Sequence, residues 1–254
     1  MEYVQPIPGE PAAVVDLGTE RALAIADYHA GIETALRYER NVELPSAAAH
    51  RRRTVYDLLD RTEPDRLVVL GDLTHSIGEP GGAERGEIEV LFEGVSIPVT
   101  LVKGNHDGAI EPFLEAGVEA FESVTVTPGS GIRLGEVGFV HGHTWPSSAV
   151  LEASVVCIGH EHPCVRLVDE VGGSRLERVW LRGSLAREPF ATRYDDLSWR
   201  DPELVVFPAF NDRCGGTWIN VKGQSFITPF LPDGLDDGEA YLLDGTRLGP
   251  YRDV

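Results

Sequence analysis
Five short blocks of this sequence end an apolar run on side chains able to hold a metal. "ALAIADYH" closes on Asp27 and His29, "LVVLGD" on Asp72, and "TLVKGNHD" on Asn105, His106 and Asp107. "GFVHGH" closes on His141 and His143, and "VVCIGHEH" on His160 and His162. Six of the eight histidines fall in these blocks, and only His50 and His75 lie outside them. Imidazole nitrogens mixed with carboxylate oxygens suit borderline cations such as manganese, iron or zinc, and calcium less well. The donors outnumber the needs of one tetrahedral site. Two cations sharing a carboxylate fit better, an arrangement used to hydrolyse phosphate esters. A single His or Asp at a strand end is ordinarily a solvated side chain; the recurrence over five blocks carries the reading.

Such donors converge only if the apolar runs are strands that end on the same side. Open α/β sheets place ligands at the carboxyl ends of their strands. A glycine ahead of the donors, as at Gly71, Gly104, Gly142 and Gly159, permits a sharp turn or a close approach. Arg66 to Asp72 and Ile97 to Asp107 read as strands buried on both faces. Ala12 to Leu17 reads as an edge strand and Arg21 to Asp27 as a second strand. Ser46 to Arg61 predicts a helix with Ser46 as its N-cap and Val55, Leu58 and Leu59 on one face. Gly78 to Gly86 reads as a loop, Glu87 to Phe92 as a short helix, and Pro112 to Gly117 as one or two helical turns. Three short strands lead to His143, and Ala153 to His162 is the next strand and turn. A hairpin turns at Gly172-Gly173, Leu204 to Phe210 is a late strand, and "EAYLLDGTRL" is a final hairpin. With no repeat and no low-complexity linker, residues 1–254 are expected to form one domain of the α/β or α+β class.

The 41 acidic residues against 22 basic ones give a formal charge of -19, and Lys103 and Lys222 are the only lysines. Acid excess with almost no lysine points to a protein adapted to high salt. So acidic a chain would ordinarily argue against nucleic acid as a partner. At molar salt the Debye length falls to about 3 Å, which weakens that argument. No apolar run approaches the roughly eighteen residues of a membrane span, and the N-terminus lacks the segments of a secretory signal. The expectation is a cytoplasmic protein with no membrane partner. Cys157, Cys164 and Cys214 form an odd set without C-x-x-C spacing, so they are read as small buried hydrophobes.

The ordered series D-x-H, G-D, G-N-H-D, H and G-x-H-x-H resembles the signature of the calcineurin-like metallophosphoesterases. Here it is "DYH", "GD", "GNHD", "HGH" and "GHEH", from Asp27 to His162. Tyr28 and Ala30 stand where that family usually has leucines. The resemblance implies a four-layer αββα sandwich of two mixed sheets. It implies two divalent cations, manganese first, with iron, zinc or nickel as alternatives. Asp27, His29, Asp72 and His162 would hold one; Asp72, Asn105, His141 and His160 would hold the other, with Asp72 bridging. Asn105 would offer a neutral oxygen beside a phosphate anion. A hydroxide between the cations would attack phosphorus in line, and the leaving alkoxide would need a proton or a positive partner. His106 is the expected catalytic residue, pointing over the substrate, and Asp107 the carboxylate that orients and charges it. His143 is left open as a substitute for His141 or a substrate contact, and His75 as a supporting residue.

The substrate is not named by these blocks, because one fold and site serve many activities. "GHEHPCVRL", a hairpin and "VVFPAFNDRCGG" resemble the ICC-like phosphoesterases, which include DNA ligase-associated damage-response endonucleases. That resemblance implies a phosphodiesterase or DNA endonuclease in repair, acting on the DNA backbone and associated with a ligase or helicase. Arg187, Arg193, Arg213 and "HRRR" (residues 50–53) are candidate backbone contacts. The competing readings are a small-molecule phosphatase or cyclic-nucleotide phosphodiesterase at the same site, and a metal-free scaffold of a repair complex.

Overall fold
The structure, a computed structural model, describes residues 3–115 and 119–254. Its strands alternate side chains between two different surroundings, which is what stacks the layers. In β3 (Arg21–Ile25), Leu23 and Ile25 face a helical layer, while Ala22 and Ala24 face the other sheet. β4 (Arg66–Val69) does the same with Leu67 and Val69 against Val68. The period of two thus gives a strand buried on both faces.

Among the described residues, the first sheet has the order β1-β2-β3-β4-β5-β6. Here β1 is Val4–Pro6, β2 Ala12–Asp16, β5 Val99–Val102 and β6 Val124–Thr127. β3 to β6 run parallel, and β1 and β2 are antiparallel additions at one side. The second sheet contains β7 (Ile132–Leu134), β8 (Val137–Val140), β9 (Val155–Ile158) and β10 (Cys164–Val168). It continues through β11 (Ser174–Leu185), β12 (Glu203–Val206), β13 (Leu235–Leu242) and β14 (Arg247–Pro250). Its order is β14-β13-β11-β12-β9-β8-β7, with β10 paired to β11; β12, β9 and β8 are its parallel heart.

Three apolar clusters separate four layers. Between the first sheet and its helices lie Leu23, Leu67 and Leu101 with Val55, Leu58, Ile88 and Leu91. Between the sheets, small side chains of the first (Ala13, Ala22, Ala24, Ala26) accept large ones of the second (Phe139, Trp180, Phe207). Beyond the second sheet, Val156, Ile158 and Val206 pack on Val150, Leu151 and Phe190. The expected αββα sandwich of two mixed sheets is the observed architecture.

Local expectations fared unevenly. Ala12 to Leu17 is not the edge: Val4–Pro6 pairs outside it, with Val4 buried. Pro6 and Pro8 disguise that short strand in the sequence. α2 (Ala48–Thr62) matches its prediction, but its N-cap is Ala47, and the Ser46 hydroxyl only accepts from the Ala48 amide at 3.3 Å. α1 (Ile32–Arg40) was not foreseen. α3 (Gly82–Glu93) starts inside the stretch read as a loop, because Gly82 and Gly86 hide an otherwise helical face of Glu84, Glu87, Ile88 and Leu91. α4 is Ile110–Leu114; of the turns expected over residues 112–117, those at 116 and 117 lie outside the described residues. α5 (Ser148–Leu151) and α6 (Glu188–Ala191) are single turns. No described helix is long and apolar enough to cross a membrane.

Candidate metal centre
β3, β4 and β5 run parallel in one sheet and β8 and β9 in the other, and the donors behind their carboxyl ends converge. The chain turns abruptly there. Asp27, His29, Asp72, His160 and His162 take left-handed backbone conformations, with φ of 57°, 46°, 48°, 67° and 44°. L-residues adopt these at a cost and persist in them only where surrounding contacts fix them. The contacts are main-chain bonds that run on past the strands: Asp27 N to Gly71 O at 3.2 Å, His29 N to Asp72 O at 2.8 Å and Gly159 N to His141 O at 2.9 Å. Two bonds tie the sheets together at the site. The His160 amide donates to the Asp27 carboxylate at 3.1 Å, and His141 Nδ1 donates to Leu70 O at 2.8 Å.

Among the described residues the donor atoms converge in four overlapping groups, two of which share a carboxylate. Those of Asp27, His29 and Asp72 lie within 4.8 Å of one another, as do those of Asp72, His141 and His160. Asp72 belongs to both. His141 Nε2 stands 3.3 Å from Asp72 Oδ2 and 3.1 Å from Asn105 Oδ1. His29 Nε2 is 3.7 Å from Asp72 Oδ2. His162 Nε2 is 3.1 Å from Asp27 Oδ1 but off the line of a hydrogen bond. The structure therefore brings together all seven side chains expected to bind metal.

The fit to cations can be judged from the atoms left over. His29 Nε2 and His162 Nε2 are buried and have no hydrogen-bond partner. His141 and His162 each donate Nδ1 to a carbonyl, of Leu70 at 2.8 Å and of Gly215 at 2.7 Å. That bond keeps a proton on Nδ1, so Nε2 is the atom that would take a cation once its own proton is displaced. Space around the donors is equally committed. A Cβ on Gly104 would stand 2.2 Å from Asp72 Oδ1, and one on Gly71, at φ +74°, 2.4 Å from His141 Nδ1. Buried nitrogens without partners among carboxylates suit divalent cations, and a neutral hydrogen-bonded network does not account for them.

Protonation divides the rings: His29 and His160 are pushed down, whereas carboxylates hold His141 and His162 up. Burial pushes His29 down to about 3 and His160 to about 4, so both rings are neutral donors at pH 7. Burial also opposes charge on His141, yet the Asp72 carboxylate holds that ring up at about 9, so a cation at this position would take the place of the Nε2 proton. Burial would raise the Asp72 carboxyl, but His141 and His29 bring it far below its ordinary range.

His106 and Asp107 differ in setting, and His106 also forms a donor group with His29 and His75. The His106 amide donates to Asp72 Oδ1 at 2.9 Å. Its ring Nδ1 donates to the His75 carbonyl oxygen, and its Nε2 stands 3.9 Å from Asp72 Oδ2 on a half-buried side chain. Asp107 does not serve as the carboxylate partner of this ring. Its buried oxygens accept from the Gly104 amide at 2.9 Å, the Thr74 amide at 3.1 Å and the Thr74 hydroxyl at 3.2 Å. Three donors from two turns outcompete the neighbouring ring, and a main-chain carbonyl orients His106 instead. His75 comes into the cluster as well: its Nδ1 is 3.3 Å from His29 Nδ1, and its ring stacks on His106 at 5.5 Å and 20°. His143 sits beside His141, ring centroids 5.4 Å apart, outside both donor groups.

Two of the arginines considered for DNA contact are used inside the fold. Arg51 is 3% exposed and lies between Glu33 and Glu87, with bonds of 2.6 to 3.0 Å. Glu87 also accepts from the Gly31 amide at 3.0 Å, two residues after His29. Arg213 bonds to Glu33 at 2.8 Å. Arg187 and Arg193 remain exposed, the latter 4.6 Å over the Trp145 ring. Sequence reasoning missed Glu84, whose carboxylate accepts from the His75 and Ser76 amides at 2.6 and 2.9 Å. It also missed Cys214, whose sulfur belongs to a donor group with His29 and His162. The helical spacing of Glu84 and Glu87 was the available signal for the first.

Comparison with known proteins agrees with this geometry. The sequence profile described as calcineurin-like phosphoesterase matches residues 20–151, just over half of the 254 residues. Against the curated proteins no match was found. Among solved structures, the chain resembles a nuclease, MPE, of Pseudomonas putida, with TM-score 0.57 and 18% identity, over 96% of this chain and 100% of that one. YfcE, a phosphoesterase from E. coli, aligns with TM-score 0.35 and 20% identity over 58% of this chain and 73% of its own. A predicted phosphoesterase from Streptococcus pneumoniae TIGR4 aligns with TM-score 0.32 and 13% identity, over 89% and 91%.

Proposed function
Because this chain belongs to the calcineurin-like phosphoesterase family, the metal-dependent phosphoester hydrolases, we propose that it uses two divalent cations to cleave phosphodiesters, with DNA as substrate. The observation that carries the two-cation reading is the overlap of two donor groups on one carboxylate, Asp72. Asp27, His29, Asp72 and His162 would hold one cation, and Asp72, Asn105, His141 and His160 the other. Bound there, the cations would supply a nucleophile from water at neutral pH and a clamp on the phosphate oxygens.

The chain's own residues do the rest. Asp72, in contact with both donor groups, sets their separation. Asn105 is exposed and neutral, so it completes the second group without repelling an incoming phosphate. His106 is held through Nδ1 by a carbonyl, which leaves Nε2 facing the substrate; in the imidazolium form Nε2 carries the proton that the departing oxygen needs. His75, stacked on that ring, limits its rotation.

A diester on a polymer is favoured over a small ligand by the exposure of the site. Asn105 is exposed, and His106, His143 and His160 are half-buried, so the donors present an open face. The fold-level likeness to a nuclease supports the same choice, as does the sequence resemblance to repair endonucleases, with manganese as the first metal to test. Contacts would go to the phosphate backbone without base reading. A role beside a ligase or helicase is part of this reading, and co-purification with either enzyme checks it.

The test is turnover of single-stranded and nicked DNA against nitrophenyl mono- and diesters, with manganese, at low and molar salt. Cleavage of DNA and diester is expected. Monoester turnover with inert DNA would replace the nuclease reading with the small-molecule phosphatase. Asp72→Asn should weaken both cations and abolish turnover, read by metal analysis of the purified variant.

A further inference from the structure
The loop after β12 does more than close the fold. It crosses from one sheet to the other over the metal centre. Phe210 N bonds to Ala26 O at 2.8 Å and Asn211 N to Asp27 O at 3.3 Å. The buried Asn211 amide donates to Tyr28 O at 3.0 Å and His29 O at 3.2 Å. Four residues on, Gly215 O accepts from His162 Nδ1 at 2.7 Å, and Thr217 N bonds to Glu161 O at 3.1 Å. The loop is therefore pinned at one end to the "DYH" turn and at the other to the "GHEH" turn. Cys214 lies between those anchors, directly before Gly215.

Its sulfur lies within 4.8 Å of ring nitrogens of His29 and His162, which are equally close to each other. The second observation is independent of the cysteine. His29 is 3% exposed, and its Nε2 has no hydrogen-bond partner; neither has His162 Nε2. The thiol itself is free of any disulfide. We propose that Cys214 is a ligand of the first cation, adding a thiolate to the carboxylate and imidazole donors of Asp27, His29 and His162.

This rests on the reading of the site as a metal centre, and it deepens that reading. Coordination would form a metal–sulfur bond and release the thiol proton to solvent. Without a cation a thiolate there would face two carboxylates. Burial, together with the charges of Asp27 and Asp72, raises the Cys214 thiol well above its ordinary value. A cation reverses that balance, because a coordinating thiol is deprotonated outright. The two positions would then differ in kind. Soft thiolate favours zinc or iron, whereas carboxylate and amide oxygens suit manganese. Cys214 would make the first position prefer the softer ion, while the second, with Asn105 and Asp72, keeps its tolerance for manganese.

Cobalt(II) is the probe, because thiolate bound to it gives an intense near-ultraviolet charge-transfer band, separate from the visible bands of the ion itself. Reduced, metal-free protein is titrated with cobalt alone. The expected result is a charge-transfer band in the unaltered chain and in Cys164→Ser, absent from Cys214→Ser, with visible bands in all three. The zinc-over-manganese preference should fall at least tenfold in Cys214→Ser. Visible bands without charge transfer, or a band that survives in Cys214→Ser, would overturn the cysteine assignment and leave the metal centre standing. No cobalt spectrum in any protein would overturn both. Should Cys214→Ser not fold by circular dichroism, alkylation of the unaltered chain decides. Cobalt should slow the modification of Cys214 by iodoacetamide at least tenfold, and an unchanged rate would refute the proposal.

Discussion
Replacing Arg51 by methionine should destabilise the protein severely, and the size of the effect can be worked from its surroundings. The guanidinium is buried, 3% exposed, between carboxylates that are 8% and 3% exposed. Without it, Glu33 keeps a contact with Arg213 at 2.8 Å. Glu87 keeps the Gly31 amide at 3.0 Å but no cation, and becomes the orphaned charge. Removing one partner of a buried ion pair costs about 3–5 kcal/mol. For a chain of this size each kcal/mol shifts the melting temperature by about 2–4 °C, so a fall of roughly 6–20 °C is expected at pH 7. Thermal and urea denaturation measure it. The double variant Arg51→Met/Glu87→Gln should recover part of the loss, since it removes the orphaned charge. The pH dependence has a definite sign. Burial would raise the Glu33 carboxyl, but its bonds from Arg51 outweigh that and leave it below its ordinary 4.5. A lowered folded pKa gives stability that is fully present above 4.5 and lost as pH falls through the folded value. The gap between the unaltered chain and Arg51→Met should therefore narrow on acidification below 4.5. A cost under about 1 kcal/mol at pH 7, or a double variant no more stable than the single one, would refute the reasoning.

The metal centre yields three more expectations. His106→Gln should retain cation binding by calorimetry while turnover falls about 10²–10⁴-fold, the range for a lost general acid; loss of that binding would make His106 a ligand. Asp107→Asn should lower stability by about 1–3 kcal/mol through its broken turn contacts. Activity per folded molecule should fall far less than in His106→Gln, and an equal fall would restore the carboxylate-partner role. Gly104→Ala should weaken cation binding at least tenfold, read by titration, because its Cβ would stand 2.3 Å from the Asp72 amide nitrogen, main chain that cannot swing aside.

The donors were legible in the sequence because each rides directly behind a parallel strand, where the order of residues is also the order in space. Asp27, Asp72, Asn105, His141 and His160 needed no knowledge of distant contacts. The features that escaped depend on how separate elements meet. Asp107 looked like the partner of His106 because the two are adjacent in sequence. Its neighbours in space are Thr74 and Gly104, and no spacing rule places Thr74 beside it. Arg51 sat in a run of basic residues that reads as a solvated face. It is the helical period that turns Arg51 inward with Val55 and Leu58 while Arg53 stays out. Cys214 is 52 residues beyond His162, and only the path of the loop across both sheets brings it to the histidines.

The left-handed residues explain why this centre is built from two sheets rather than one. Each such conformation costs on the order of 1–3 kcal/mol for a residue with a side chain, somewhat less for Asp. Five of them amount to a sizeable share of the 5–15 kcal/mol by which a domain is stable. Asp27, His29 and Asp72 are clamped by main-chain bonds between the ends of β3 and β4 and by Asn211 from the loop after β12. His160 is clamped by the Asp27 carboxylate reaching across from the other sheet. Each sheet thus supplies the contacts that hold the other's strained turn. Separated, neither set of donors would keep its aim, and the pairing of the sheets through Ala22, Ala24, Phe139 and Phe207 is as much a condition of their convergence as the turns that carry them.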